Sequence, residues 1–207
     1  AETLRLSAEM SDGEIVEGES NIPNAGKTIK RLSIVPHDAQ AVESALKAIS
    51  EADLCILGPG SLYTSILPNL LVEKVAETIR DSEAIKLYIC NVMTQPGETD
   101  GYTAADHLQA IVDHGGSGLV DYVLVNVATV AEPLRKLYEL ENSYPVAPMS
   151  DTLRSMGVKV IEADLISETN VARHDPTKLS EVITQIMSSL RSGAESMKMI
   201  DYYFKKE

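Results

Sequence analysis

The chain has 207 residues, of which 44% are hydrophobic and 24% charged, and this length and composition are typical of one globular domain. Its formal net charge of −13 argues against general affinity for nucleic acid or for an anionic membrane surface. No apolar run approaches the length of a membrane span, no signal peptide is predicted, and the spacing of the two cysteines indicates no disulfide framework. We therefore expect a cytoplasmic protein with a single α/β domain over residues 1–207, in which 194–207 is a candidate tail.

The N-terminal segment alternates apolar and polar residues, as a half-buried strand does. Asp12-Gly13 separates two such runs, Thr3–Met10 and Glu14–Val16. A tight turn between strands needs residues that tolerate positive φ, and Asp-Gly supplies them. The pattern predicts an N-terminal antiparallel β-hairpin, and Ile29–Val35 predicts a further strand after it.

Helical and extended patterns alternate through the rest of the chain. In chain order they predict a helix at Ala39–Ser50, a strand at Asp53–Leu57, a helix at Leu70–Ser82, a strand at Lys86–Val92, a helix at Thr103–His114, a strand at Val120–Val127, a helix at Val130–Leu140, a strand at Val158–Ile161 and a final helix from Asp175. Parallel strands need long crossover connections, so this order predicts an α/β fold: a three-layer Rossmann-like parallel sheet with helices on both faces, plus the hairpin. In such sheets, ligands bind beyond the carboxyl ends of the strands.

A glycine-rich turn, Gly58-Pro59-Gly60-Ser61, follows the predicted strand that ends at Leu57. Gly58 and Gly60 allow the backbone to approach a ligand closely, and N–H groups at a following helix start attract anions. Ser61, Thr64 and Ser65 add hydroxyl groups. The turn matches neither the dinucleotide fingerprint, nor the P-loop, nor a nucleophile elbow. A simple connector and an anion site therefore remain equal alternatives on this pattern alone.

A second polar segment, Asn91–Tyr102, follows the next predicted strand and is longer than ordinary connections of this kind. Its candidate ligand-binding side chains are Asn91, Thr94, Gln95 and Thr99. A solvated loop with helix caps would also account for the composition. Because this segment leaves the same sheet edge as the glycine-rich turn, we favour a functional role.

Asn126 ends another predicted strand and is a candidate ligand-binding residue, although an Asn in that place more commonly ties down nearby backbone. His107 and His114 share a helix face, and the helix dipole accounts for the latter. Asp100 and Asp106 are candidate carboxylate ligands for magnesium, but a capping box formed with Thr103 accounts for Asp106. No set of residues has the spacing of a metal motif, so the sequence predicts no metal site.

Two long motifs, Gly58–Asn69 and Cys90–Tyr102, resemble the signature of the bacterial gluconeogenesis factor family (YvcK type). Shorter segments, Gly18–Pro23 and His174–Pro176, are similar to the same family. The family is related to phospholactate transferase, which uses a guanylated phospholactate donor. The residues Gly60–Tyr63 favour the gluconeogenesis factor branch.

The resemblance implies that the full-length parent binds a uridine diphosphate sugar and regulates carbon metabolism and cell-wall or cell-shape control, with no catalysed reaction attached. It also implies that this chain is the C-terminal part of a larger CofD-like domain without the N-terminal glycine-rich loop, and that it binds the ligand weakly or not at all by itself. Two alternatives stay open: a magnesium-dependent transferase acting on a nucleotide-diphosphate-linked substrate, and a protein-interaction scaffold. The identity of the sugar and the formation of a homo-oligomer are also open.

Overall fold

The structure, a computed structural model, describes residues 4–167 and 172–191; the candidate tail 194–207 lies outside the described residues. The strands are β1 (Arg5–Met10), β2 (Ile15–Glu17), β3 (Ile29–Val35), β4 (Leu54–Leu57), β5 (Ile85–Ile89), β6 (Tyr122–Asn126) and β7 (Lys159–Ala163). The helices are α1 (Asn21–Asn24), α2 (Glu43–Ser50), α3 (Leu67–Leu70), α4 (Val75–Asp81), α5 (Ala104–Gly115), α6 (Glu132–Leu140), α7 (Ser150–Ser155) and α8 (Pro176–Arg191), and a π-helical turn at Leu62–Ile66 leads into α3.

The main sheet is four-stranded and parallel, in the order β4-β5-β6-β7. Leu54 pairs with Ile85 in one neighbouring pair of strands, and Val123 pairs with Val160 in another. This arrangement confirms the parallel sheet predicted from the alternation of strands and helices. Because all four strands run the same way, the segments that follow them emerge at one edge of the sheet.

The N-terminal hairpin is also confirmed, and it belongs to a separate antiparallel sheet with the order β2-β1-β3. Ala8 pairs with Val16 on one side and with Leu32 on the other. Ala8 and Leu32 are almost fully buried, so this small sheet shares the main hydrophobic core rather than standing apart from it.

The two faces of the parallel sheet carry different apolar clusters, because successive residues of a strand point in opposite directions. Tyr88 and Val123 pack in the core that includes α3, α5 and the antiparallel sheet. Leu87 and Leu124 pack on the other face against Val182 of α8. Full burial of such a side chain stabilises the fold by about 1.5–3 kcal/mol. The result is the predicted three-layer architecture, with helices on both faces.

Two predicted helices are shorter or more broken than their sequence patterns indicate. The segment before α2 is extended, and Gln40 forms a parallel bridge with Glu73. The Glu73 N–H also donates to the carbonyl of Ala39 (3.0 Å), and Lys74 adopts a left-handed conformation with φ of 67°. This pairing between segments replaces helical hydrogen bonds, so α2 begins only at Glu43 and the predicted helix over 70–82 is interrupted.

His114 fastens the antiparallel sheet to α5. Its Nδ1–H donates to the carbonyl of Ala110 (2.7 Å), which leaves Nε2 to accept the N–H of Leu32 in β3 (2.9 Å). The ring also packs edge-on against Tyr63, with centroids 5.9 Å apart. The imidazole is therefore held in its neutral form, and burial lowers the pKa of His114. A neutral ring gains little from the dipole of α5, so the position of His114 is better explained by its hydrogen bond to the distant strand β3.

We expect acid to destabilise the protein partly through His114. The pKa of this histidine is lower in the folded chain than its ordinary value of 6.5, which applies to the unfolded chain. As the pH falls below 6.5 the unfolded chain therefore takes up a proton more readily than the folded one, and stability is lost. The free energy of unfolding in urea should therefore drop between about pH 7.5 and about pH 5.5. In His114→Gln, whose amide oxygen can accept the same N–H without titrating, the drop should be smaller. Equal drops in both proteins would contradict this role of His114.

No helix in the described part of the chain is both long and apolar enough to cross a membrane.

Candidate functional site

The glycine-rich turn and the polar loop meet beyond the carboxyl ends of β4 and β5, as the sequence predicts. The side-chain amide of Asn91 donates to the carbonyl of Gly60 (2.9 Å) and lies 3.3 Å from the amide oxygen of Gln95. The amide of Gln95 donates in turn to the hydroxyl of Ser61 (2.7 Å). These neutral contacts hold the turn and the loop in a fixed relation. We call these three residues, Gly60, Ser61 and Gln95, together with Glu98, which is described next, the amide wall.

Glu98 is a buried carboxylate in this wall, and the sequence pattern alone does not single it out. Its side chain accepts the backbone N–H of Tyr63 (3.3 Å) and the hydroxyl of Thr64 (3.2 Å), and the residue is only 7% exposed. Burial raises the pKa of the Glu98 carboxyl, and nearby Glu19 raises it further. The available signal was an acidic residue between Gly97 and Thr99 in a motif whose one other charged residue is Asp100.

Two of the predicted threonines are structural inside the loop. Thr94 is buried, and its hydroxyl accepts the N–H of Tyr144 (2.9 Å), while its own N–H donates to the carbonyl of that residue (2.7 Å). The hydroxyl of Thr99 accepts the N–H of Gln95 (2.9 Å), and Thr99 is fully buried. The hydroxyl of Thr99 therefore braces the loop internally, and that of Thr94 fastens the loop to the backbone at Tyr144.

A cleft of about 530 Å³ opens between the amide wall and a second wall, which consists of Tyr138, Glu141, Arg173 and His174. Tyr138 lies on α6, and Arg173 and His174 lie just before α8. Tyr138 packs against an apolar cluster that contains Met93 and Ala172. The His174 Nε2–H donates to the carbonyl of Cys90 (3.1 Å), and burial lowers the pKa of His174. We call this second set the aromatic-cationic wall.

Arg173 supplies positive charge to the cleft of a strongly acidic protein. Its guanidinium forms no ion pair with any described residue, and Arg173 is exposed. On the opposite wall lies the buried carboxylate of Glu98. The aromatic-cationic wall thus carries one cation, Arg173, together with the carboxylate of Glu141, and the amide wall carries neutral groups together with Glu98. The guanidinium suits an anionic part of a ligand, and the neutral groups suit its hydroxyls.

The structure brings together five of the predicted residues in the cleft: Gly60, Ser61, Asn91, Thr94 and Gln95. It places the others elsewhere. Gly58 and Ser65 line an apolar groove beside β4. The hydroxyl of Thr64 donates to Glu98, and that of Thr99 accepts the N–H of Gln95. Asn126 bonds to backbone on two segments: its amide donates to the carbonyl of Ala128 in a local turn (2.8 Å), and its oxygen accepts the N–H of Leu165 after β7 (3.0 Å).

The candidate magnesium ligands do not converge. Asp106 completes the predicted capping box, accepting the N–H of Thr103 (2.8 Å), and Asp100 accepts the N–H of Gly97 (2.7 Å). Among the described residues, no group of three or more His, Cys, Asp or Glu side chains is arranged to hold a metal ion. Asp100 and Asp106 each bond to a backbone N–H nearby in the chain and do not line the cleft, so we assign them no magnesium site and derive no step through this ion.

The fold is that of a Rossmann-like α/β protein with a cleft beyond the carboxyl edge of its parallel sheet, where ligands bind in such folds. The sequence profile of the family described as 2-phospho-L-lactate transferase CofD matches residues 1–166, and the chain belongs to this family.

Relatives with a curated name are similar over most of the chain. The gluconeogenesis factor of Halalkalibacterium halodurans is 49% identical over 184 residues, which is 88% of this chain and 57% of that protein. The gluconeogenesis factor of Bacillus subtilis is 46% identical over 183 residues, covering 88% of this chain and 58% of that protein. The chain therefore spans a little over half the length of these relatives.

A solved structure is similar in the same region. A crystal structure of a member of the UPF0052 family from Bacillus halodurans superposes with a TM-score of 0.86 at 49% identity. The match covers 88% of this chain and 59% of that chain. At this identity the likeness supports a shared family as well as a shared fold.

Proposed function

We propose that this chain contributes to a regulatory protein of gluconeogenic carbon metabolism that binds a uridine diphosphate sugar in the cleft between the amide wall and the aromatic-cationic wall. The similarity to proteins named gluconeogenesis factor supports the metabolic role. Control of cell-wall synthesis or cell shape and a cytoplasmic location are part of the same proposal. The chain spans 57–58% of these relatives, so any activity of a protein of their full length is likewise a proposal.

The observation that carries the ligand assignment is the pairing of unlike walls across one cleft. Tyr138 presents an aromatic ring on which a base can stack, and Arg173 presents a cation for a diphosphate. Ser61 and Gln95 are neutral donors and acceptors, which suit the hydroxyls of a sugar. The cleft volume of about 530 Å³ is within the range of small-molecule sites.

The Tyr138 ring gives the first test of this assignment. Stacking of a base on an aromatic side chain is worth about 1–3 kcal/mol, so Tyr138→Leu should weaken binding of uridine diphosphate glucose about tenfold or more. Leucine keeps apolar contact with the cluster around Met93 and loses the flat ring. Calorimetric titration of this chain, with the Bacillus subtilis gluconeogenesis factor as a longer reference protein, would measure the affinities.

Tyr144→Leu is the matched control, because Tyr144 is 47% exposed and does not line the cleft. We expect this variant to bind as the unmodified chain does. If neither the chain nor the longer relative binds uridine diphosphate glucose, the proposed function is wrong. If appearance of a product accompanies binding, the protein is a transferase rather than a regulator.

A further inference from the structure

Glu98 closes the amide wall at the start of the π-helical turn. The first N–H groups of such a turn have no partner within it and attract anions, which is why the sequence suggests an anion site there. In the structure an internal anion already holds this place: the Glu98 carboxylate accepts the N–H of Tyr63 and the hydroxyl of Thr64. These two donors are therefore not free for the phosphate of a ligand.

A buried carboxylate also determines what can approach it. A phosphate beside Glu98 would face a like charge in a partly desolvated place, where electrostatic repulsion is stronger than in water. A hydroxyl group, in contrast, can donate to an acceptor site that remains, since a carboxylate offers about four and the N–H of Tyr63 and the hydroxyl and N–H of Thr64 use three. The adjacent Ser61 and Gln95 are neutral and accept or donate equally well.

From this geometry we propose that Glu98 is a specificity-determining residue that fixes the direction of the nucleotide sugar in the cleft. Its carboxylate accepts a sugar hydroxyl and excludes phosphate from the amide wall, so the diphosphate lies toward Arg173. This inference rests on the proposed function and adds to it the reason that a nucleotide sugar is preferred over the free nucleotide.

The preference for sugar is directly measurable. Uridine diphosphate glucose and uridine diphosphate would each be titrated into this chain and into Glu98→Gln. The ratio to compare is the dissociation constant of uridine diphosphate divided by that of uridine diphosphate glucose. Glutamine has nearly the same shape and no charge. Since hydrogen bonds to a charged group are about twice as strong as neutral ones, we expect binding of the sugar nucleotide to weaken and binding of the free diphosphate to tighten, so that the ratio falls about tenfold.

Asp100→Asn is the matched control, since it removes one carboxylate charge from the same loop but Asp100 does not line the cleft. The ratio should be the same in this variant as in the unmodified chain. Circular dichroism would establish that each variant is folded. If Glu98→Gln does not fold, Glu98→Asp replaces it: the shorter carboxylate keeps the charge, so free diphosphate should still bind poorly while the sugar nucleotide loses affinity.

The outcomes separate the two proposals. If uridine diphosphate glucose binds and the ratio in Glu98→Gln equals that of the unmodified chain, Glu98 only supports the turn, and the proposed function stands without this inference. If Glu98→Asp is the variant measured, unchanged affinity for the sugar nucleotide has the same meaning. If neither nucleotide binds the unmodified chain or the longer relative, the proposed function and this inference are both wrong.

Discussion

Replacing Gly97 by alanine is expected to destabilise the protein by about 3–5 kcal/mol, a large part of the stability of a typical domain. Gly97 has a φ of +77°, which L side chains rarely adopt, and a Cβ at this position would overlap the carbonyl group of Pro23. The obstructing atoms are backbone atoms of α1, which cannot rotate away as the end of a side chain can. Accommodating the methyl group therefore requires the polar loop or α1 to move.

Gly101→Ala separates the strain of the left-handed backbone from the overlap with Pro23. Gly101 has a similar φ of +71°, and no other atom lies within 4 Å of the place that a Cβ would occupy. Its substitution should cost only the strain of the left-handed backbone, about 1–2 kcal/mol. Urea unfolding followed by circular dichroism would give both values. Equal losses in the two variants would show that the contact with Pro23 is soft and that the loop is not held against α1.

Arg173→Ala is expected to weaken binding of uridine diphosphate glucose by about tenfold to a hundredfold, the effect of losing a charge-assisted hydrogen bond to phosphate. The whole chain carries a net charge of −13, so an anionic ligand depends on local attraction. Among the described residues that line the cleft, Arg173 is the one arginine or lysine. Because the interaction is electrostatic and exposed, added salt should reduce the affinity of the unmodified chain more than that of the variant.

Arg135→Ala is the control for this measurement. Arg135 lies on α6, forms an ion pair with Glu139 (2.6 Å) and does not line the cleft. Its removal changes the net charge by the same amount and should leave the affinity unchanged. Equal weakening by both substitutions would mean that only the overall charge matters and that Arg173 does not contact the diphosphate.

The local sequence was sufficient to predict the order and type of most elements. Asp12-Gly13 indicates a hairpin because its residues tolerate the turn, and the capping box of Thr103 and Asp106 marks the start of α5. The short apolar run at Leu54–Leu57 indicates a strand, although the prediction that it is buried was wrong: β4 lies at the edge of the sheet and only Leu57 is buried. The meeting of the glycine-rich turn with Asn91 and Gln95 was also predictable, since consecutive parallel strands end at the same sheet edge.

Other features depend on contacts that no local pattern contains. The bridge between Gln40 and Glu73 interrupts a helix that the spacing of apolar residues predicts, because tertiary pairing outweighs a weak helical propensity. His114 has the position of a residue that interacts with a helix dipole, yet it accepts a hydrogen bond from a strand 82 residues away in the chain. Asn126 bonds to backbone, the more common role for an Asn at a strand end, but one of its partners is the N–H of Leu165, 39 residues away in the chain.

The amino-acid sequence by itself determined the α/β class, the parallel order of the main sheet and the amide side of the cleft, because these follow from periodicity and from residues close together in the chain. Only the tertiary structure decided what faces that side. Tyr138 and Arg173 come from segments far from the glycine-rich turn, and Glu98 becomes a buried acceptor only when its loop folds against Tyr63 and Thr64. The charge and the aromatic surface of the cleft are therefore properties of long-range packing, which brings together side chains whose spacing in the sequence carries no signal.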